Sequence, residues 1–280
     1  MGITGTEVTR QAGAMILADD NFATIVAAVR EGRGIFQNIK KFLRYMMSSN
    51  LGEVLTVFVG VLAASALGLT GHGEVVVVPL LATQILWINL LTDTVPALAM
   101  GVDPQTEDVM ARPPRGLTER VIDARMWRGV ALIGTVMATV SLGVIDLYLP
   151  GGFLEGSDDL ATARTAGFTV LVLAQLFNAF NSRSEVTSAF RGAVNWWLWG
   201  AVALAGALQV AVVHVPFLNA AFGTAPLRAE QWLVCLGLAS VVLWASELRK
   251  LVGRVLAGVR ARRAAAGSPS GRSAAAAASN

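Results

Sequence analysis

Residues 46–69, MMSSNLGEVLTVFVGVLAASALGL, form an apolar segment long enough to cross a bilayer as a helix. Its one charged side chain is Glu53, and Asn50 lies three residues earlier, so both occupy the same helical face. A charge at the bilayer centre costs roughly 2.5 to 3.5 kcal/mol even on a lenient insertion scale. An acid kept in such a segment indicates a function.

A second acid lies in the next apolar segment, residues 76–100, which contains the sequence QILWINLLTDTVPALAM. Asn89, Thr92 and Asp93 are spaced by three and four residues and therefore share one helical face. Pro96 interrupts the helix at a place where a lipid-facing backbone would lose hydrogen bonds. Such an interruption is tolerated where the backbone lines a site.

Six apolar segments in total predict an all-α polytopic membrane protein with six transmembrane helices. They lie at residues 46–69, 76–100, 127–149, 165–181, 195–217 and 230–248. The chain is 54% hydrophobic and 15% charged, too apolar for an ordinary soluble domain. Its net charge of +3 is spread between the segments, so we expect the lipid bilayer as partner and no nucleic acid.

The distribution of basic residues predicts the orientation of the chain. With both termini in the cytoplasm, all of the 22 Lys and Arg residues except Arg164 and Arg228 fall in cytoplasmic connections or at their helix ends. This asymmetry follows the positive-inside rule. We therefore expect an integral, multi-pass protein with both termini cytoplasmic, which in a bacterium would lie in the plasma membrane.

The two ends of the chain differ from its centre. The sequence AGAMILADD predicts a short buried strand over residues 14–17, followed by a long stalk helix over 21–45 with Asp20 or Asn21 as its N-cap. A single strand has no sheet to join, so this end resembles the α/β remnant of a cytoplasmic domain. The predicted division is 1–45 for this remnant and the stalk helix, 46–248 for the transmembrane domain, and 249–280 for a basic, disordered cytoplasmic tail.

The polar faces of the first two segments together offer carboxylate, amide, hydroxyl and carbonyl oxygens. Hard cations such as calcium prefer this all-oxygen shell. Gln175 and Asn178, three residues apart in the fourth segment, add amide oxygens or serve as hydrogen bonds between helices. Asp146 lies near the outer end of the third segment, where we expect water to reach it. One cysteine and two histidines make a zinc or copper site of Cys and His unlikely.

Four motifs closely resemble the P-type cation-transporting ATPases of the calcium-pump type. They are ITGTEV (3–8), AMILADDNFATIVAAVREGR (14–33), FLRYMMSSNLGEVL (42–55) and QILWINLLTDTVPALAMGVDP (84–104). The resemblance covers about residues 1–250. It implies the end of a phosphorylation domain and its stalk helix, followed by the last six membrane helices of a pump.

The resemblance also implies the ligands of a transported divalent cation. These are Asn50 and Glu53 in the fifth pump helix, Asn89, Thr92 and Asp93 in the sixth, and Gln175 in the eighth. Two-calcium reticulum pumps have a glutamate at the position of Gln175, which puts a second ion in doubt. Calcium is favoured, and manganese or another cation is not excluded.

The chain has neither DKTGT, nor a TGES loop, nor GDGxND. We therefore predict no catalytic and no cofactor-binding residues in it, and expect Mg²⁺ and ATP to act only in the complete pump. The expected partner is the N-terminal part of such a pump: actuator, nucleotide-binding and phosphorylation domains and the first four membrane helices. As a fragment, the chain would form part of the cation translocation site without ATPase competence of its own.

A second hypothesis is a stand-alone membrane channel or an interaction partner without ATPase activity. Six spans with a polar centre are compatible with it. Similarity between the first three and the last three spans, which is frequent in secondary transporters, is not evident.

Overall fold

The computed structural model of the protein is a bundle of α-helices. It describes residues 2–67, 69, 77–104, 109–111, 113, 114, 116, 120–154, 156–184 and 194–266. The helices are α1 (Glu7–Ala12), α2 (Ala23–Leu62), α3 (Ala82–Trp87), a π-helix (Ile88–Asp93), α4 (Thr94–Gly101), α5 (Ala124–Tyr148), α6 (Leu160–Asn181), α7 (Trp196–His214), α8 (Pro216–Phe222) and α9 (Ala229–Ala266). Within these ranges no residue lies in a β-strand, as the all-α prediction requires.

Five of these helices are long and apolar enough to cross a membrane. They are α2, α5, α6, α7 and the part of α9 up to Val259. The protein is therefore an integral, multi-pass membrane protein. The predicted count of six spans is not reproduced by this criterion, because the second predicted span, 76–100, is divided into α3, the π-helix and α4.

The interruption predicted around Pro96 begins earlier, with the π-helix at Ile88. Pro96 lies in the first turn of α4 and has no N–H, so the carbonyl of Thr92, four residues before it, lacks its helical donor. The Tyr45 hydroxyl of α2 donates to that carbonyl oxygen over 3.3 Å. A π-helical turn inside a membrane helix is itself a frequent mark of a functional site.

The predicted stalk helix and first span form one continuous helix, α2, which is 40 residues long. At 1.5 Å per residue it extends about 60 Å. The helix begins at Ala23 with Phe22 at the N-cap position and no side-chain cap there, so the prediction of Asp20 is wrong, whereas Asn21 makes a hydrogen bond of the N-cap type one residue earlier. Asn21 contributes nearby, because its Oδ1 accepts a hydrogen bond from the Ala23 N–H over 3.0 Å.

The strand predicted over residues 14–17 is not observed. Met15 and Ile16 are exposed in an irregular segment. The one backbone hydrogen bond that joins this segment to the start of the chain runs from Gly2 N–H to the Leu17 carbonyl, over 2.7 Å. A strand needs a hydrogen-bonded neighbour, and no neighbouring strand lies among the described residues to supply one. The predicted α/β remnant is thus not confirmed.

Close packing between α2 and α5 fixes the helix that carries Glu53. A Cβ on Gly134 of α5 would lie 2.9 Å from Leu51 Cγ, and one on Gly52 of α2 would lie 3.0 Å from Met137 Cβ. Small residues at such contacts let helix backbones approach each other in a membrane.

At the other end of the chain, α9 continues to Ala266, so part of the predicted disordered tail is helical, and residues 267–280 lie outside the described ranges.

The prediction that water reaches Asp146 is wrong, because this residue is only 3% exposed. Its two carboxylate oxygens accept hydrogen bonds from the backbone N–H groups of Phe153 (2.8 Å) and Leu154 (3.1 Å). The position near the helix end was correct, but the connection to α6 folds back over the carboxylate. Asp146 therefore holds this connection in place.

Candidate cation site

Glu53 lies at the centre of the predicted ligands and joins three helical elements. Its side chain on α2 is buried, with 4% exposure. Oε2 accepts a hydrogen bond from Asn89 Nδ2 of the π-helix, and Oε1 accepts one from Gln175 Nε2 of α6, each over 2.8 Å. Three of the six predicted ligands are therefore in direct contact through one carboxylate.

Asp93 is fully buried at the end of the π-helix. Its Oδ1 accepts a hydrogen bond from the Tyr45 hydroxyl over 3.1 Å, whereas its Oδ2 has no hydrogen-bond partner of standard geometry among the described residues. Oε1 of Gln175 is likewise buried without a donor there. A buried acceptor left without a donor costs about 1 to 3 kcal/mol, so two such oxygens in one polar cluster suit a cation.

Thr92 and Asn50 flank this cluster in different ways. Thr92 is buried, and its hydroxyl donates to the Ile88 carbonyl over 2.9 Å, which leaves the lone pairs of the hydroxyl oxygen for a cation. Asn50 is half-buried and lies with Glu53 and Asn89 in the wall of a groove of about 660 Å³. The rest of that wall is apolar: Val54, Val57, Phe58, Val61, Leu62 and Ile85.

Asn178, which the sequence offered as a further ligand, serves another purpose. Its Nδ2 donates to Ser48 Oγ over 2.7 Å, and Ser48 Oγ in turn donates to the Arg44 carbonyl over 2.7 Å. The hydrogen bond between Asn178 and Ser48 connects α6 to α2 at a point five residues before Glu53. Asn178 therefore matches the alternative that we left open for the amides, a hydrogen bond between helices.

Tyr45 is the site residue that the sequence analysis missed. It precedes Glu53 by eight residues, with Ser49 midway, so the three side chains recur every four residues on one face of α2. This spacing was the available signal. Tyr45 is fully buried, and its hydroxyl contacts both Asp93 and the Thr92 carbonyl.

The donor set favours a hard cation and disfavours a soft one. Among the described residues no group of three or more His, Cys, Asp and Glu side chains could hold a metal ion. The predicted ligands that the structure brings together offer two carboxylates with amide, hydroxyl and carbonyl oxygens, a mixture of the kind that calcium prefers. The amides of Asn89 and Gln175 present nitrogen to Glu53, and rotation about the terminal bond of each would present oxygen instead.

Comparison with known proteins decides the family. Residues 77–252 match the model of the cation transporting ATPase C-terminus. The chain belongs to this family. The matched range contains the π-helix and Gln175, whereas Asn50 and Glu53 precede it.

Curated relatives are similar to this chain over most of its length. A calcium-transporting ATPase of Bacillus subtilis (strain 168) is 39% identical over 246 residues, which cover 86% of this chain and 26% of that protein. Calcium-transporting ATPase 4, endoplasmic reticulum-type, of Arabidopsis thaliana is 34% identical over 312 residues, covering 93% of this chain and 28% of that protein. The chain therefore spans about a quarter of the length of these relatives.

Proposed function

We propose that this chain forms part of the transmembrane binding and translocation site for a divalent cation, calcium, in a P-type ATPase. The observation that carries the proposal is Glu53, buried in α2 and hydrogen-bonded at once to Asn89 and Gln175. The family match and the calcium-transporting relatives support it. Asn50, Thr92 and Asp93 complete the proposed ligand set.

The charges of the site favour one calcium ion. Glu53 and Asp93 supply two negative charges, which balance one divalent cation inside the bilayer, while Gln175 supplies an oxygen without a charge. A second divalent cation would leave two positive charges uncompensated, at a high cost in a membrane. When calcium leaves, the two acids exchange it for protons, because two ionised carboxylates are costly there.

In this proposal the amides act as the switch between the two states. In one state Asn89 and Gln175 donate to Glu53 through hydrogen bonds of 2.8 Å each. With calcium bound, each amide turns its oxygen toward the ion and Glu53 becomes a ligand. Phosphorylation by ATP and Mg²⁺, carried out by other parts of a complete pump, drives the change between the states through α2.

The proposed topology has six spans with both termini in the cytoplasm, the plasma membrane being the location if the source is a bacterium. Residues 82–101 form the second of these spans, because α3, the π-helix and α4 follow each other without a gap. Their 20 residues extend about 30 Å, close to the thickness of the hydrocarbon core. The basic connections on one side support this orientation.

Equilibrium binding of radioactive calcium to the full chain in lipid nanodiscs tests the proposal. We expect one saturable site, lost in Asp93→Asn and in Glu53→Gln and kept in Asp158→Asn, a control that removes an acid from the partly exposed pair with Arg228. Wild-type chain without saturable binding would contradict the proposal. Calcium flux through liposomes without ATP, above that of protein-free liposomes, would favour the channel hypothesis instead.

A further inference from the structure

A second buried acid, Asp103, lies outside the cation site and holds three side chains. It is 3% exposed. Oδ2 accepts from Lys41 Nζ over 2.6 Å, and Oδ1 accepts from Arg183 Nε over 2.9 Å and from Asn195 Nδ2 over 2.8 Å. Charge-assisted hydrogen bonds of this length are the strong ones, so this group, the Asp103 cluster, is a fixed point in the fold.

The Asp103 cluster joins the ends of four helices. Asp103 follows α4, Lys41 belongs to α2, Arg183 follows α6, and Asn195 is the N-cap of α7. Its amide also donates to the Ala99 carbonyl of α4 over 3.0 Å.

Asn38 of α2 adds two hydrogen bonds to the backbone at the same place. Its Nδ2 donates to the carbonyls of Gly101, over 3.1 Å, and of Asp103, over 3.0 Å. The last carbonyls of a helix have no partner within it, and here side chains of α2 and α7 supply their donors. The end of α4 is thereby attached to both neighbours.

The position of the Asp103 cluster relative to the ligands is the informative relationship. Lys41 precedes Asn50 by nine residues of α2, and Arg183 follows Gln175 by eight residues of α6 and its end. These separations correspond to about 13.5 and 12 Å along the helix axes. Asp103 itself follows Asp93 after the single helix α4. The Asp103 cluster thus joins all three ligand-bearing elements, at a similar distance along each of them from the proposed ligands.

We propose that Asp103 is a positioning residue that sets the relative placement of α2, the π-helix and α6, and thereby the cation affinity, without contacting the cation. The inference rests on the proposed function and deepens it. Lys41 and Arg183 are both nearly buried, so the loss of the carboxylate leaves two cations facing each other and pushes their helices apart.

Distances between spin labels test the positioning directly and need no cation. In a Cys235→Ala background, labels at Val26→Cys on α2 and Leu98→Cys on α4 report on these helices, since both positions are well exposed. We expect Asp103→Asn to broaden the distance distribution at least twofold, and Asp158→Asn to leave it unchanged. An unchanged distribution in Asp103→Asn would overturn the proposal, whether or not the wild type binds calcium.

Calcium binding then separates positioning from folding. If Asp103 serves folding alone, its substitution lowers the number of binding sites per chain and leaves the Kd of the remaining folded protein unchanged. A positioning role raises the Kd, and we expect at least a tenfold rise in Asp103→Asn with the site number kept. Lys41→Met combined with Asp103→Asn removes one cation together with the acid and should recover most of the affinity. A lower site number at unchanged Kd would refute the inference.

These outcomes are distinct from a failure of the proposed function. If the wild type binds no calcium, the proposed function fails, and the spin-label distances still decide the role of Asp103. If the wild type binds calcium and both variants match it in Kd and in distance, the role of Asp103 fails alone.

Discussion

The Tyr45 hydroxyl lies 3.1 Å from Oδ1 of Asp93 and 3.3 Å from the carbonyl oxygen of Thr92. One side chain of α2 therefore contacts both the acid of the π-helix and the carbonyl that has no helical donor because of Pro96. Through this contact α2 is joined to the π-helix at a second point besides the hydrogen bond between Glu53 and Asn89. The two elements that carry most of the proposed ligands are thus held together on both sides of the site.

Tyr45→Phe removes this contact without changing the size of the side chain appreciably. We expect the free energy of unfolding to fall by about 1 to 3 kcal/mol, because the single O–H that the two buried acceptors share is lost. Calcium should bind more weakly as well, since Asp93 is no longer held by α2. The midpoint of thermal unfolding in detergent and the calcium Kd measure the two effects.

Tyr148→Phe is the matched control, because the chain has only two tyrosines and Tyr148 is the last residue of α5. We expect this variant to match the wild type in calcium Kd. Equal effects of the two substitutions on calcium binding would show that the hydroxyl of Tyr45 has no special role at the site.

Gln175→Glu adds a third carboxylate next to Glu53. We expect the chain without calcium to be less stable, because two acids then face each other in a buried site. With calcium the added charge should lower the Kd about tenfold, which corresponds to about 1.4 kcal/mol. Binding isotherms with wild type and variant in nanodiscs check this.

Gln209→Glu controls for the mere presence of another buried acid. Gln209 is fully buried in α7 and donates to Thr169, outside the site. This variant should also lose stability but gain no calcium affinity. A Kd for Gln175→Glu no lower than that of the wild type would contradict the role of Gln175 as a ligand.

Gly152→Ala should disturb the connection that Asp146 holds. A Cβ at position 152 would collide with Asp146 Oδ1, so the carboxylate or the loop has to move. We expect a loss of about 1 to 3 kcal/mol, typical of overpacking. Gly143→Ala in α5 is the control, because its Cβ would meet nothing within 4 Å, and it should be neutral or stabilising. Thermal unfolding of both variants decides, and equal midpoints would contradict the role of Asp146.

Asp20 makes the order of the N-terminal segment depend on pH. Hydrogen bonds from the Thr4 side chain and from the backbone of residues 2–4 lower the pKa of Asp20 to about 2, from an ordinary 3.8. Because the folded pKa is the lower one, the stabilisation is present above about pH 4 and is lost as the pH falls toward 2. The protection of the amides of residues 2–4 against hydrogen exchange, relative to an unstructured peptide at the same pH, should fall over that range. Asp20→Asn should exchange fast at every pH, whereas unchanged rates in this variant would exclude the contact.

The sequence predicted which polar side chains of the apolar segments lie close to Glu53. Glu53, Asn89 and Gln175 were predicted from their places on helical faces within apolar segments, and the structure joins them by hydrogen bonds. This worked because an ionisable side chain in a membrane segment is costly, so few occur and each is informative. The helical class of the fold followed from the same hydropathy.

The remaining features depend on tertiary contacts that no local pattern contains. The buried state of Asp146 depends on a connection that folds back over it, and the strand predicted over 14–17 lacks the neighbour that a strand needs. The hydrogen bond between Tyr45 and the Thr92 carbonyl likewise joins two elements far apart in the chain. The Asp103 cluster likewise assembles residues far apart in the chain.

The continuity of α2 from Ala23 to Leu62 has a mechanical consequence. A helix whose hydrogen bonds run unbroken resists twisting about its own axis, so torque applied at its first turns reaches Glu53 about 45 Å away. The Glu53 carboxylate lies off the axis of α2, so rotation of this helix would move it sideways relative to the π-helix. Rotation of the stalk by a few tens of degrees would therefore exchange the neighbours of Glu53 without any change in the depth at which it lies in the bilayer.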